Sequence, residues 1–534
     1  MEESRSAQKI AFDHCGKSFI GTETPLTQPD DGIPGCGWVA TAGHSSACVA
    51  PVKSISAQTL AKAAFLPPCY LCPKARIILV RFTLRILLRK ESIIAAQQSH
   101  RQRLHERLGD GSASIGIVGL GYVGLALAVE FAEAGFAVTG VEQDAQRVVE
   151  IQRGNSYISD IPNERLAPLV AQGQLQANAD YEALRGCDAI SICVPTPLRK
   201  TKDPDLTHVI SAVDTLVDVC QPGMLIVLES TTYPGTTEEI VKPRFVETGL
   251  AVGTDVFIAY SPERIDPGNQ TYTLRNTPKV VGGVTAACGE LARAYYARVA
   301  EEVVVVSSPT AAEMIKLLEN TFRAVNIGLV NEMALMCDKL GLDIWEVVEG
   351  AATKPFGFMP FYPGPGWGGH CIPVDPHYLS WKLKTLDYNA RFIQLASEIN
   401  TARPRYVVER IQDLLNEASI ATRGARIHLL GVAYKRDSAD TRESPALDIL
   451  ELLLQRGAKV EYHDPYVAQL QRVNGELMQR SECREEWLRA ADCVVILADH
   501  STYDWQRVCD HARVILDTRM ATRGVQGSAQ ITRM

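Results

Sequence analysis

The chain has 534 residues, of which 46% are hydrophobic and 22% charged, and its formal net charge is −8. This length predicts about three to four domains, and the acidic balance argues against a nucleic-acid partner. Because the chain has no run of 18 apolar residues and opens on polar residues, we expect neither a membrane span nor a signal peptide. Its 14 cysteines follow no regular spacing, which favours reduced thiols and a cytoplasmic location.

Residues 1–112 differ from the rest of the chain, because they combine scattered glycine and proline with no sustained period. We predict a poorly ordered N-terminal extension without an assigned function. Cys69 and Cys72 form one CxxC pair, but a zinc site would need a second pair, so we expect no metal. Residues 76–90 also fit a basic amphipathic helix on a membrane surface, an alternative that we rank lower.

A glycine-rich turn follows the apolar run 115–118. Gly119, Gly121 and Gly124 form a GxGxxG motif that opens a helix, and Tyr122 and Val123 stand between the last two glycines. Gly119 would allow the tight turn, Gly121 the approach of a pyrophosphate to the helix N-terminus, and Gly124 the packing of helix on strand. The motif alone is weak, but its strand-turn-helix context predicts a dinucleotide site.

Glu142 ends the next predicted strand, residues 137–141, and lies 23 positions after Gly119. A carboxylate at this place accepts hydrogen bonds from the adenosine ribose and repels a 2′-phosphate, so we predict NAD rather than NADP. Asp144 is a rival for this role, and Arg147 would offset charge nearby.

Polar turns follow three further predicted strands, residues 189–194, 225–228 and 256–260. Thr196, Thr231 and Glu263 lie in these turns. Because open α/β sheets bind ligands at the carboxyl ends of their strands, we expect the three side chains to converge on the nicotinamide end of the cofactor. For any one of them, capping or turn formation is the simpler role.

Residues 309–340 predict a long helix, with Pro309 in its first turn and Gly341 as its stop. One face is polar and the other apolar, and we expect the apolar face to supply the packing surface. The polar residues are Glu313, Lys316, Asn320 and Arg323, and the apolar ones are Leu317, Leu318, Phe322, Val325 and Leu329. The polar stripe fits a solvated face, but a cation and an amide one turn apart also suit stabilisation of an alkoxide.

Residues 363–376 contain four glycines and four prolines, which predicts an irregular loop. We expect Gly368 and Gly369 to let the backbone approach a ligand closely. If Asp375 opens a helix, the Cys371 thiol lies near its N-terminus, where thiolate is favoured. The alternative is a buried cysteine beside a capping aspartate. A second long helix, residues 389–417, should be interrupted near Pro404.

Strands and helices alternate again in residues 421–534. The turn 431–435 lacks the dinucleotide glycines but supplies Lys435, and Arg442 follows it; both suit a phosphate. We therefore predict an α/β protein with two Rossmann-like doubly wound parallel-sheet domains, residues 113–306 and 421–534. A central helical domain, residues 307–420, joins them and includes a long connecting helix.

From residue 114 onward, the chain resembles the UDP-glucose/GDP-mannose dehydrogenase family. The resemblance is carried by the NAD fingerprint, the Lys316/Asn320 pair, the GGHCIPVDP run at 368–376 and the motifs AYK at 433–435 and DTRESP at 440–445. It implies oxidation of C6 of a nucleotide-bound sugar from alcohol to carboxylate with two NAD⁺. Cys371 resembles the family nucleophile, with Lys316, Asn320 and Asp375 as its support. Thr231 and Glu263 match positions of the hydrolytic step.

The turns at 229–235, 261–268 and 362–366 are similar to the branch that acts on UDP-N-acetylhexosamines. This resemblance implies a UDP-N-acetylglucosamine 6-dehydrogenase of surface-polysaccharide synthesis, with UDP-N-acetylmannosamine and UDP-glucose as alternatives. It also implies a homodimer or larger assembly, in which Lys354 reaches the substrate of a neighbouring subunit. The implied substrate residues are Glu263, Arg264, Lys316, Asn320, Lys354, Phe361, Tyr362, Gly368, Lys435 and Arg442.

Two other classes remain open on the residues alone. A single-step NAD-dependent hydroxyacid dehydrogenase also uses a helical lysine and asparagine but needs no thiol. A nucleotide-sugar or NAD sensor would bind its ligand without turnover. This class does not explain why Lys316 and Asn320 accompany the thiol.

Overall fold

The computed structural model describes residues 100–158, 160–199, 203–266, 269 and 271–534. Our predictions for residues 1–99, including the CxxC pair, lie outside the described residues. Residues 100–110, which we had assigned to the same extension, form a helix instead (α1). Leu104 and Leu108, one helical turn apart, are buried in the core of the first α/β region, and this burial explains the order of the segment.

The first α/β region contains a sheet of eight strands in the order β3-β2-β1-β4-β5-β6-β7-β8. Neighbouring strands are parallel except β6 and β7, which are antiparallel. The strands are β1 (Ser114–Val118), β2 (Ala137–Val141), β3 (Leu175–Asn178), β4 (Ala189–Ile192), β5 (Leu225–Leu228), β6 (Phe257–Tyr260), β7 (Lys279–Gly283) and β8 (Val303–Val306).

Alternation along the strands divides the core between the two faces of this sheet. Ile115 and Ile117 belong to one buried cluster, whereas Ile190 and Ile192 belong to another, as a doubly wound sheet covered on both faces requires. The helices are α2 (Tyr122–Glu133), α3 (Ala145–Gln152), α4 (Asn163–Ala171), α5 (Thr207–Val219), α6 (Lys242–Glu247) and α7 (Ala286–Tyr296), with a 3₁₀ turn at Tyr181–Leu184 and a π turn at Thr237–Val241.

Two long helices form the centre of the described chain, α8 (Pro309–Leu340) and α11 (Arg391–Glu417). The ends of α8 are as predicted, because Ser308 caps its N-terminus and Gly341 ends it with φ 70°. The two helices approach closely at Gly328, where a Cβ would lie 3.2 Å from the Ala396 Cα. Between α8 and α11 lie α9 (Ile344–Ala352) and α10 (Asp375–Lys384).

The predicted interruption of α11 near Pro404 is wrong. The helix continues through Pro404, which is buried together with its neighbour Arg403. A proline removes one helical hydrogen bond, but packing of α11 against α8 along its length outweighs that local cost.

Our assignment of the packing face of α8 is also wrong. Glu313, Lys316 and Asn320 are buried, whereas Leu318, Phe322 and Leu329 are exposed. The helix therefore turns its polar stripe inward, towards polar groups of other segments, and leaves an apolar stripe outside. Of the predicted packing residues, Leu317 is fully buried.

The second α/β region contains five parallel strands in the order β10-β9-β13-β14-β15. Its last strand was missed in the sequence, because Gln530–Arg533 is polar and lies at the sheet edge. The elements are β9 (Arg426–Leu430), α12 (Pro445–Gln455), β10 (Lys459–His463), β11 (Gln469–Gln471), β12 (Leu477–Gln479), α13 (Glu485–Ala490), β13 (Cys493–Ile496), α14 (Trp505–His511), β14 (Val514–Asp517) and β15 (Gln530–Arg533). None of the helices in the described residues has the length and hydrophobicity to cross a bilayer.

Candidate active site

The glycine-rich turn between β1 and α2 has the geometry that its sequence predicts. Gly119 has φ 87°, and a Cβ there would lie 2.8 Å from the Cys193 carbonyl oxygen. A Cβ on Gly124 would lie 1.8 Å from the Gly119 carbonyl oxygen. At Gly121, by contrast, no atom lies within 4 Å of an added Cβ, so the protein itself leaves room there for a ligand. Tyr122 and Val123 follow at the partly exposed N-terminus of α2, where a phosphate is favoured.

Glu142 lies at the far side of this turn. Its Oε2 accepts a hydrogen bond of 3.1 Å from the Leu120 amide and lies 3.8 Å from the Arg147 guanidinium. The rival Asp144 instead caps α3, because its carboxylate accepts hydrogen bonds from the Gln146 and Arg147 amides. The same small cavity is bordered by Gly119, Gly121, Glu142 and Arg147, so this donor and acceptor set fits the adenosine half of a dinucleotide.

Three neighbouring strands, β4, β5 and β6, carry the predicted polar turns at their carboxyl ends. Thr196 is buried, and its carbonyl oxygen accepts a hydrogen bond from the Tyr378 hydroxyl on α10. Thr231 is half-buried after β5. Glu263 is buried after β6, and its carbonyl oxygen accepts a hydrogen bond from the Lys316 ammonium of α8. The turns thus connect the first sheet to α8 and α10.

A cavity of about 1010 Å³ contains Cys371 and Lys316 in its wall. The cavity lies where α8, the loop after β6, the Cys371 loop and the turn after β9 meet. Its lining residues are Arg264, Ile265, Asp266, Asn269, Tyr272, Asn276, Thr277, Pro278, Lys316, Leu318, Glu319, Phe322, Arg323, Gly368, Gly369, His370, Cys371, Ile372, Tyr434, Lys435 and Arg442. A thiol and a cation therefore face one space large enough for a nucleotide-sized ligand.

Polar groups on α8 and α10 form a hydrogen-bonded chain that runs from Arg323 in the cavity wall to the buried Asn320 and Asp375. Asn320 donates from Nδ2 to Asp375 Oδ2 over 2.5 Å, and Arg323 donates to Asn320 Oδ1 over 2.5 Å. Asp375 is the first residue of α10, and its amide donates to the Cys371 carbonyl oxygen over 2.8 Å. The helix start predicted for Asp375 therefore exists, and it fixes the carboxylate next to the thiol segment.

Burial dominates the ionisation of both groups. It raises the pKa of the Cys371 thiol to about 11, with a further rise from the Asp375 charge that Lys316 partly opposes. It also raises the pKa of Asp375 to about 6, against the lowering effects of Lys316 and the Asn320 hydrogen bond. The prediction that the helix N-terminus favours the thiolate is therefore wrong: that effect, worth about 1 kcal/mol, is outweighed by the loss of solvent around the thiol.

We expect Asp375→Asn to stabilise the fold at pH 7 by up to about 3 kcal/mol, because a pKa of about 6 in the folded state makes ionisation of Asp375 costly there. Protonated Asp375 contributes its full stability below about pH 4, and this contribution is lost as the pH rises through about 6 and the folded protein has to ionise the buried carboxyl. The advantage of the variant should therefore be absent near pH 4 and grow towards pH 7. Denaturant unfolding of both proteins at several pH values measures it, and an advantage independent of pH would contradict the assignment.

Gly368 and Gly369 also allow a close approach between two segments of the protein. A Cβ on Gly368 would lie 2.5 Å from the Tyr434 Cβ, and one on Gly369, which has φ 91°, would lie 2.8 Å from the Tyr434 ring. The Gly369 amide also donates to the Arg442 carbonyl oxygen over 3.0 Å. These glycines therefore dock the Cys371 loop on the second α/β region, although both also border the cavity.

Cations from both α/β regions border the cavity and hold carboxylates there. Lys435 donates to Asp266 over 2.8 Å, Arg442 forms a bidentate pair with Asp440, and Arg264 pairs with Glu319 at 2.8 Å. Such partly exposed pairs contribute little to stability, so their cations remain suited to a diphosphate.

Five of the predicted substrate residues do not border this cavity. Glu263 and Asn320 are buried outside its lining, and the other three lie in the segment that follows α9. Lys354 is exposed, and its ammonium lies 4.9 Å from the Phe356 ring centroid. Phe361 packs edge-on against Phe322 on α8, and Tyr362 stacks on Trp345 of α9. In the described part of one chain, these three residues lie along the outside of the central helices.

Sequence reasoning missed several residues of the site. His370 and Tyr434 border the cavity. Their positions in the sequence, next to Cys371 and Lys435, could have identified them as site residues. Arg323 was assigned to the polar stripe but not to the site. Glu229 and Lys279 form a buried ion pair of 2.7 Å next to Glu263, which no local pattern indicates because 50 residues separate them. No group of ligating side chains in the described residues could hold a metal ion.

Three family models match the chain in order. They describe the UDP-glucose/GDP-mannose dehydrogenase family and comprise its NAD binding domain at residues 113–300, its central domain at 310–402 and its UDP binding domain at 428–524. The first covers the glycine-rich turn, the second covers Lys316 and Cys371, and the third covers Lys435 and Arg442.

Relatives and solved structures match over most of the chain. A UDP-N-acetyl-D-mannosamine dehydrogenase from Pyrococcus horikoshii is 34% identical over 76% of this chain and 95% of its own. A UDP-N-acetyl-D-glucosamine 6-dehydrogenase from Pseudomonas aeruginosa is 35% identical over 66% of this chain and 83% of its own. The solved structure of a UDP-D-ManNAc dehydrogenase from Pyrococcus horikoshii has a TM-score of 0.72 and 33% identity, covering 79% of this chain and 98% of that one. The chain therefore belongs to the UDP-glucose/GDP-mannose dehydrogenase family and is an NAD-dependent nucleotide-sugar dehydrogenase.

Proposed function

We propose that the enzyme oxidises C6 of a UDP-sugar from alcohol to carboxylate through a covalent bond to Cys371. The observation that carries this proposal is that Cys371 and Lys316 border one cavity, with Asp375 buried directly behind the thiol segment. A dehydrogenase that stops after one oxidation has no use for a thiol at that place.

The chemistry divides into three steps. Loss of a hydride and a proton from the C6 alcohol gives an aldehyde, and Lys316 and Asn320 stabilise the developing negative charge on its oxygen. The Cys371 thiol adds across the carbonyl group, so that an S–C bond and an O–H bond form and a thiohemiacetal results. Loss of a second hydride and a proton gives a thioester. NAD⁺, when bound, accepts the hydride in each oxidation.

Hydrolysis releases the product and restores the thiol. Water attacks the thioester carbon, the C–S bond breaks, and the carboxylate leaves while sulfur regains a proton. We assign Asp375 and Thr231 to positioning this water and Glu263 to accepting its proton. The support is that Glu263 lies at a strand end, next to Lys316, and its Oε2 is buried without a hydrogen-bond partner in the described residues.

For the sugar we propose UDP-N-acetylglucosamine, with the uronate product entering surface-polysaccharide synthesis in the cytoplasm. The motifs at 229–235 and 261–268 support an N-acetylated hexose, as does the Pseudomonas aeruginosa relative named for this substrate. UDP-N-acetylmannosamine is the second candidate, because a relative named for it aligns over 95% of its own length. The UDP moiety would be held by Lys435 and Arg442.

A panel of UDP-N-acetylglucosamine, UDP-N-acetylmannosamine and UDP-glucose tests this choice, with NADH formation and product mass as readouts. We expect the highest kcat/KM for UDP-N-acetylglucosamine and a product 14 mass units heavier than its substrate, about the change from CH₂OH to COOH. A higher kcat/KM for either of the other sugars would move the assignment to that sugar.

We expect Glu142→Ala to lower the preference for NAD over NADP by about tenfold in kcat/KM. The change removes the carboxylate that would repel a 2′-phosphate and frees Arg147, 3.8 Å away, to attract one. Asp144→Ala is the matched control, because Asp144 caps α3 and its loss should cost about 1 kcal/mol of stability without changing cofactor preference. An equal change in both variants would contradict the role of Glu142.

We also propose a homodimer formed through the outer face of α8. Large apolar side chains recur along this face in steps of three or four residues, with one step of seven between Phe322 and Leu329. They are Met314, Leu318, Phe322, Leu329, Met333, Met336 and Leu340, each at least 37% exposed. An exposed apolar stripe of this length is typical of an interface. Because Leu318 and Phe322 also border the cavity, a second copy on this face would lie next to the site, which supports the proposal that Lys354 serves the neighbouring subunit.

Leu329→Arg should therefore convert the dimer to a monomer, because it places a charge in the middle of the apolar stripe. Light scattering coupled to size-exclusion chromatography measures the mass. Val473→Arg is the matched control: Val473 is 90% exposed and lies in the second α/β region, so this variant should keep the wild-type mass. Unchanged mass in Leu329→Arg would contradict the interface.

A further inference from the structure

A second cluster of charged side chains is buried beneath the strand-end turns of the first sheet. Glu229 follows β5, Lys279 opens β7 and Glu263 lies in the turn after β6. Their side chains are 0%, 5% and 11% exposed. Two carboxylates thus share one ammonium inside the protein, where an unbalanced charge is costly.

Lys279 makes a closer contact with Glu229 than with Glu263. Lys279 Nζ lies 2.7 Å from Glu229 Oε2 and 3.5 Å from the Pro262 carbonyl oxygen, but 3.9 Å from Glu263 Oε2. Tyr296 donates its hydroxyl to Glu229 Oε1 over 2.5 Å. Glu229 is therefore fully engaged, whereas Glu263 Oε2 is near the ammonium without a hydrogen bond and has no other partner in the described residues.

This arrangement gives the lysine two effects on the turn that carries Glu263. The contact with Pro262 restrains the backbone next to Glu263, and the ammonium attracts the Glu263 carboxylate without hydrogen-bonding its Oε2. A direct hydrogen bond would instead block the lone pair that a base needs. Glu229 and Tyr296 hold the ammonium at that intermediate distance.

We propose that Lys279 is a positioning residue for thioester hydrolysis, held by Glu229 so that it orients Glu263 without covering its free oxygen. The inference rests on the proposed function, in which Glu263 accepts a proton from the attacking water. It predicts that loss of this arrangement slows hydrolysis and leaves the two oxidations that precede it unaffected.

Rapid-mixing kinetics on full-length enzyme separate these steps, with UDP-N-acetylglucosamine and NAD⁺ as the probes. The double variant Lys279→Met/Glu229→Gln removes the ammonium and one carboxylate together, so no unpaired charge from this pair remains. We expect a burst of two NADH per active site at the wild-type rate, then steady turnover slowed about tenfold or more. The value of kcat/KM for the sugar should stay unchanged, because it does not depend on the step after acylation, and intact mass should show an acylated Cys371.

Two further variants keep the test decisive if the double variant does not fold. Lys279→Arg retains the cation and should recover turnover to within a few-fold of wild type. Glu229→Gln alone releases the ammonium to bind Glu263 Oε2, so it should also show the burst followed by slow turnover. Wild-type turnover in Glu229→Gln would overturn the proposal. Equal slowing of the burst and of the steady phase in any variant would also overturn it, because it would show a general structural effect and not a slower hydrolysis.

Glu263→Gln distinguishes this inference from the function on which it rests. If Glu263→Gln accumulates acyl-enzyme but the Lys279 and Glu229 variants do not, the role of Lys279 is wrong and the mechanism stands. If Glu263→Gln hydrolyses the thioester at the wild-type rate, the assignment of the base is wrong, and the role of Lys279 fails with it.

Discussion

Cys371→Ser should lower the rate of uronate formation by about a thousandfold or more, because serine cannot form the thioester that carries the second oxidation. Lys316 and Asn320 remain in this variant and can still stabilise the alkoxide, so the first hydride transfer stays possible. We therefore expect an aldehyde-level product or a stalled enzyme. Product mass and NADH yield in a single turnover measure the effect. In the wild-type protein, intact mass should show a covalent adduct on the peptide that contains Cys371.

Cys483→Ser is the matched control for this experiment. Cys483 is also a partly buried free thiol whose pKa is raised by burial, but it lies in the second α/β region and does not border the Cys371 cavity. This variant should retain wild-type activity. Uronate formation by Cys371→Ser at a rate near that of the control would remove the covalent mechanism.

Lys316→Met should lower the first hydride transfer by about 100- to 1000-fold, because it removes the cation that stabilises negative charge on the C6 oxygen. Its ammonium contacts the Glu263 carbonyl oxygen and borders the Cys371 cavity, so it is fixed before substrate arrives. Single-turnover NADH formation measures this step. Because the lost interaction belongs to the transition state, kcat should fall and KM should change little.

Lys339→Met tests whether any lysine of α8 would give the same loss. Lys339 lies in the last turn of the same helix and is exposed, so its replacement should leave hydride transfer unchanged. A first NADH that forms at the wild-type rate in Lys316→Met, with only a later step slowed, would move Lys316 from the oxidation to the hydrolysis.

The residues that local sequence could predict are those whose role depends on their own segment. Gly119 needs a positive φ, Pro309 and Gly341 mark the two ends of α8, and Asp375 begins α10. Each follows from backbone chemistry within a few positions. The family resemblance then supplied the combination of Lys316, Asn320 and Cys371, which the structure brings to one cavity wall and the polar chain behind it.

The errors share one physical cause, which is contact between segments far apart in the chain. The polar stripe of α8 is buried because it meets polar partners from the turns after β5 and β6 and from α10, and its apolar stripe is exposed along the outside. Burial among several elements also raises the pKa of Cys371. Helical periodicity gives the two stripes but not which one faces inward.

The ratio of NADH to uronate formed by the wild-type enzyme tests the covalent double oxidation most directly. NADH absorbance and quantitative mass spectrometry of the product measure it in the same reaction with UDP-N-acetylglucosamine. The mechanism predicts two NADH for each uronate, with no free aldehyde. One NADH for each molecule of substrate, with an aldehyde as the final product, would show a single-step dehydrogenase and contradict the role of Cys371.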